Sequence, residues 1–93
     1  MEASPAEVII SKYEQARVYI TVKGVDNTPV QGDTIKARIK NNGDKLIKAY
    51  SKEQTTDVYG QAVFTFYANK EGKTSVTFKD ESLSIKVPVT VIE

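Results

Sequence analysis

At 93 residues the chain suits one small domain with a single thin core, and is too short for two lobes around a cleft. Thirteen basic and twelve acidic side chains nearly cancel to a formal charge of +1, so no overall field draws the chain to nucleic acid or to an anionic membrane. Cysteine and histidine are both missing, which removes disulfides, thiolate chemistry and the usual base of a hydrolase triad.

The chain opens with MEASPAEVII, which has no basic leader and no apolar run long enough for a signal peptide or a membrane-crossing helix. Residues 1–5 read as linker and residues 6–93 as one domain. Met1 directly before Glu2 and the stop at Glu93 suit a module excised from a longer parent, with any export signal and anchor outside it.

Period-2 alternation then recurs along the chain, the mark of antiparallel sheet with one wet face. A strand is expected near Val8 to Ser11. From Ala16, the residues Ala16, Val18, Ile20 and Val22 point inward while Arg17, Tyr19, Thr21 and Lys23 point out. From Ile35 the inward set is Ile35, Ala37 and Ile39, with Lys36, Arg38 and Lys40 outside. Asn42-Gly43 predicts a tight type I′ hairpin that sets Ile39 opposite Leu46. Residues 45–56 are the least regular, because an inner face there would have to alternate Leu46, Lys48 and Tyr50.

Asp57 and Gly60 suit the first and last positions of a type I turn. The next strand places Ala62, Phe64 and Phe66 on one face, and its successor does the same with Val76 and Phe78. A loop at Asp80-Glu81 pairs Phe78 with Leu83 and opens the last strand, where Leu83, Ile85, Val87, Val89 and Val91 alternate with Ser84, Lys86, Pro88 and Thr90. About seven short strands with no helical segment predict an all-β, two-sheet antiparallel sandwich without a disulfide.

The run Pro29, Val30 and Gly32, then Ile35 and Ala37, then Thr56, Asp57, Gly60, Ala62 and Phe64, then Gly72, Val76 and Thr77, resembles group 1 bacterial immunoglobulin-like domains, the repeat modules of intimin- and invasin-type surface proteins. The resemblance spans roughly residues 6–93 and is carried by turns and core positions. Thr28 stands where the family commonly has glycine, and Tyr59 where it commonly has asparagine or aspartate. The cysteine pair and core tryptophan of antibody domains are missing. The resemblance implies an immunoglobulin-like fold without enzymatic activity, located outside a bacterial cell. Its expected partners are neighbouring domains of the same kind, and a host receptor or surface glycan.

No cofactor is assigned. Asp26, Asn27 and Asp33 are expected to share one end of the sandwich with Asp80 and Glu81, but their spacing is unlike a calcium loop and the bland reading is turn chemistry. The sharper candidate is a basic band, Lys36, Arg38, Lys40, Lys45, Lys48 and Lys52, interrupted only by Asp44. With the outward tyrosines Tyr19 and Tyr67 it would contact a polyanion or glycan. The competing reading is that these lysines solvate an outer face and discourage edge pairing. No RNA-recognition signature is present, so nucleic acid is not an expected partner.

An odd number of alternating strands sends the two ends of the chain out of opposite poles, and a nine-residue strand spans about 30 Å, so each domain would add roughly 35 to 40 Å of reach. These considerations predict a monomeric spacer module of a bacterial surface or secreted protein, with a role in adhesion. The alternatives are a phage decoration or tail domain attaching to surface glycans, and a carbohydrate-binding accessory to a hydrolase.

Overall fold

The computed structural model describes residues 1–93 and contains nine strands: β1 (Glu2–Ser4), β2 (Val8–Ser11), β3 (Gln15–Thr21), β4 (Thr34–Ile39), β5 (Ile47–Ala49), β6 (Glu53–Thr55), β7 (Gln61–Ala68), β8 (Gly72–Lys79) and β9 (Ser84–Ile92). They form a four-stranded sheet of order β1-β3-β7-β5 and a five-stranded sheet of order β2-β9-β8-β4-β6. Every pairing is antiparallel except that of β2 with β9, where Val8 lies beside Val89 and Ser11 beside Ile92.

Nine strands still make only seven passes along the long axis, because β1 and β2 run the same way, as do β5 and β6. Each of these two passes begins in one sheet and finishes in the other. The first forms one edge of both sheets, and the β5-β6 pass forms the opposite edge of both. All four edge strands are therefore three or four residues long, against six to nine for the inner ones. Short edges leave little unpaired backbone for a second chain to join.

The alternating faces lie where the sequence puts them. Val18, Ile20, Ile35, Phe64, Phe78 and Val87 are sealed inside a core of 17 buried residues. Phe78 touches both other phenylalanines, with ring centroids 4.9 Å from Phe64 and 6.1 Å from Phe66 in tilted and edge-on arrangements. At the Asp57–Gly60 turn, the Asp57 carboxylate accepts the N–H groups of Tyr59 and Gln61 while Gly60 takes φ 75°.

Three local expectations are corrected. Asn42-Gly43 makes no hairpin: Asn42 is left-handed, and Gly43 opens a 3-10 turn (Gly43–Lys45) that leads from β4 in one sheet to β5 in the other. Ile39 therefore faces Val76 rather than Leu46. Gly43 is needed for contact, since a Cβ there would lie 2.0 Å from Thr74 Oγ1. In the segment after it, Leu46 packs against the core as expected, but Ile47 and Ala49 point inward in place of Lys48 and Tyr50. Finally, Phe78 pairs with Ile85 rather than Leu83. The turn consumes two more residues because the Asp80 carboxylate holds the Ser82 and Leu83 N–H groups, leaving Leu83 exposed; a two-residue slip preserves which side faces in.

Residues 1–5, read as linker, contain β1, which pairs with β3 from Glu2 to Ser4. The Ser4-Pro5 peptide is cis, and it is at this point that the first pass changes sheets. No helix is long and apolar enough to cross a membrane.

Candidate functional site

Strand parity decides where the basic side chains go. With Ile35, Ala37 and Ile39 committed to the core, Lys36, Arg38 and Lys40 are forced onto the outer face of the five-stranded sheet. β8 runs alongside, setting Lys36 opposite Lys79 and Arg38 opposite Thr77, and β9 sets Lys86 on the far side of Thr77. Lys52, in the bend before β6, closes the other wall. The result is an open groove of about 880 Å³ floored by Ser75, Thr77 and Ser84 and bordered by Lys36, Arg38, Lys40, Lys52, Lys79 and Lys86, with Glu53 the one carboxylate.

The expected band is thus divided. Lys36, Arg38, Lys40 and Lys52 come together, Lys45 lies apart in the 3-10 turn, and Lys48 projects from β5 on the other sheet. Tyr67 is the register partner of Lys48, so both belong to the outer face of the four-stranded sheet, as does Tyr19. Tyr19 pairs with Val63 and Tyr67 with Gln15, about 13 Å apart along β3 at 3.3 Å per residue, so the two tyrosines make no joint platform. Lys79 and Lys86, which the sequence reading left out, lie far from Lys36 in the chain. Their outward parity was legible, but the β4-β8 pairing that unites them with the band was not.

A second cluster occupies the pole where β9 begins. The Asp33 and Asp80 carboxyl groups are near neighbours. A proton on Asp33 that Asp80 can accept, together with burial and the negative charges of Asp80 and Glu81, raises the Asp33 carboxyl to about 6. Asp80 shifts the opposite way: burial pushes it up, but hydrogen bonds from Asp33, Leu83 and Ser82 and the nearby Met1 amine outweigh this and lower it. Asp33 Oδ2 is buried without a further partner. Asp33 and Asp80 do meet as expected, but no three acidic, histidine or cysteine side chains converge as metal ligands would.

The outward placement of the chain ends completes the geometry. β2 and β9 are parallel, and the Lys12 N–H donates to the Ile92 carbonyl at 2.7 Å, so the C-terminus leaves beside the β2-β3 turn. Met1 precedes the residues paired with the end of β3, and its amine approaches Asp80 at the other pole. The molecule measures 42 × 20 × 18 Å.

No family model matches the chain, and no curated protein matches it. Among solved structures, the chain is similar to the S-layer protein rSbsC(31-844), at 19% identity and TM-score 0.77 over 98% of this chain and 12% of that one. It is similar to the D0-D1 domain of intimin at 17% identity and TM-score 0.78, covering 90% of this chain and 44% of that one. A C. elegans MSP family member, WR4, gives TM-score 0.76 at 9% identity over 98% and 96% of the two chains. The chain therefore spans about an eighth of the S-layer protein and under half of the intimin fragment. What these similarities establish is the fold, an immunoglobulin-like β-sandwich.

Proposed function

We propose that this chain is a non-enzymatic immunoglobulin-like spacer module of a bacterial cell-surface or secreted protein, one link of a tandem stalk. The observation that carries the reading is the parallel β2-β9 pair, which sends the two termini out of opposite poles of a body 42 Å long and about half as wide. Such a unit extends a chain by nearly its whole length and leaves its flanks open to a receptor or glycan, which is how it would contribute to adhesion. Its fold likeness to domains of an S-layer protein and of intimin supports the surface location. The scarcity of catalytic groups agrees with a structural role: the carboxyl pair of Asp33 and Asp80 has no histidine or cysteine beside it.

Small-angle scattering on two copies joined end to end tests the spacer. The maximum dimension should be close to double that of one copy. A pair folded side by side, no longer than a single domain, would overturn it. Antibody labelling of the parent protein on intact cells tests the location, with labelling that requires permeabilised cells as the contrary result.

A further inference from the structure

We propose that the outer face of the five-stranded sheet is a binding surface for a linear polyanionic glycan, a saccharide chain bearing carboxylate or sulfate groups. Six of the thirteen basic side chains and one of the twelve acidic ones border this groove, which leaves seven basic against eleven acidic side chains on the rest of a chain that is nearly neutral as a whole. Protection against edge pairing does not account for all of them. Lysines serve that purpose where a strand is open on one side, whereas Lys79 lies on β8, between β4 and β9, and Lys36 lies where β4 is flanked by both β6 and β8. Lys36 and Lys79 are direct cross-strand neighbours, an arrangement of like charges that destabilises a sheet. Glu53, the partner of Lys36 on the β6 side, offsets part of that repulsion, and an anion laid between the two ammonium groups would relieve the rest.

The geometry also selects among anions. Along β4 the cations recur every second residue, about 6.6 Å apart, and the next row lies about 4.8 Å across on β8, so charge is presented as a ladder suited to an extended chain rather than to one compact ion. Hydroxyl groups of Thr77 and Ser84 lie between the cations and can bond sugar hydroxyls, with Ser75 buried beneath them. A nucleic-acid strand draws on aromatic stacking for much of its affinity, and none of the five tyrosines borders the groove. A protein partner would need a buried aromatic or aliphatic anchor, which this hydroxyl-rich floor does not offer.

The test is titration of the intact chain with dextran sulfate at physiological salt, alongside neutral dextran and oligo(dT). Two triple variants are compared: Arg38→Glu with Lys79→Glu and Lys86→Glu on the groove, and Lys12→Glu with Lys23→Glu and Lys70→Glu away from it, which change net charge equally. Thermal melts establish that both are folded, since all six positions lie outside the core. Wild type should bind dextran sulfate, bind oligo(dT) more weakly and ignore neutral dextran. The groove variant should lose at least about tenfold in affinity while the distant variant stays within about twofold, because charges beyond a Debye length are largely screened. Equal losses in both variants, no binding of dextran sulfate by wild type, or oligo(dT) binding as tight as dextran sulfate would each overturn the proposal.

Discussion

Thr56 and Asp33 are bound to each other twice: the Asp33 N–H donates to the Thr56 hydroxyl at 2.8 Å, and the Thr56 N–H donates to the Asp33 carbonyl at 2.9 Å. The same hydroxyl donates to the Val30 carbonyl at 2.7 Å. One buried side chain thus fastens the lead into β4 to the end of β6. Thr56→Val keeps the shape but strands a donor and an acceptor, and should cost about 1 to 3 kcal/mol in urea unfolding, with Thr56→Ser recovering most of it. Equal losses for both substitutions would show that the methyl group, not the hydroxyl, matters.

Gly60 is required twice over. Its φ of 75° disfavours any side chain, and a Cβ would come 2.5 Å from the Val22 carbonyl oxygen and 3.0 Å from the Val30 nitrogen. Gly60→Ala should therefore destabilise by more than about 2 kcal/mol, combining left-handed strain with displacement of backbone. Gly32 has φ 83° with open space around it, so Gly32→Ala incurs the strain alone and should melt closer to wild type.

Phe64 is fully buried against Phe78 at the centre of the core. Phe64→Ala is expected to cost about 3 to 5 kcal/mol, enough to unfold a domain of marginal stability. Circular dichroism would then show a broad, non-cooperative transition or none. A melt within a few degrees of wild type would mean the sheets close over the cavity.

The Asp33-Asp80 pair gives stability a pH dependence whose sign can be worked out. Asp33 titrates near 6 when folded and near 3.8 when unfolded, so between these values the folded chain holds the extra proton and stability rises as pH falls from 7 toward 4. Asp80 is shifted down, so its contribution is present above 3.8 and is lost as pH falls further. The melting temperature should peak between about pH 4 and 5. Asp33→Asn removes the rising limb and should stabilise the domain at pH 7.5. An unchanged profile in that variant would place the titration elsewhere.

Much of this fold was legible because a strand with one buried side advertises its orientation at every second residue. The inward sets of β3, β4, β7, β8 and most of β9 follow from that rule alone, and so does the outward placement of Lys36, Arg38 and Lys40. The rule fails where a pass changes sheets. Ile47 and Ala49 point inward at odd positions, then Thr56 at an even one; Ala3 precedes Val8 and Ile10 in the same fashion. A switch of sheet reverses the parity, so residues 45–56 looked irregular and residues 1–5 looked like linker. The groove was half visible for a related reason: alternation orients each lysine, but only long-range pairing says that Lys79 and Lys86 stand beside Lys36 and Arg38.

The like-directed alignment of β2 and β9 has a mechanical consequence. Pulling Met1 and Glu93 apart draws these strands past one another lengthwise, so the bonds between them resist together in shear instead of opening singly like a zipper. Replacing Ile10 with proline removes a backbone donor and a core side chain from that seam, and single-molecule extension should record a lower rupture force for it than for Ile10→Ala, which removes the side chain alone. A stalk assembled from such links would hold its length under drag because each one is latched by its first and last strands.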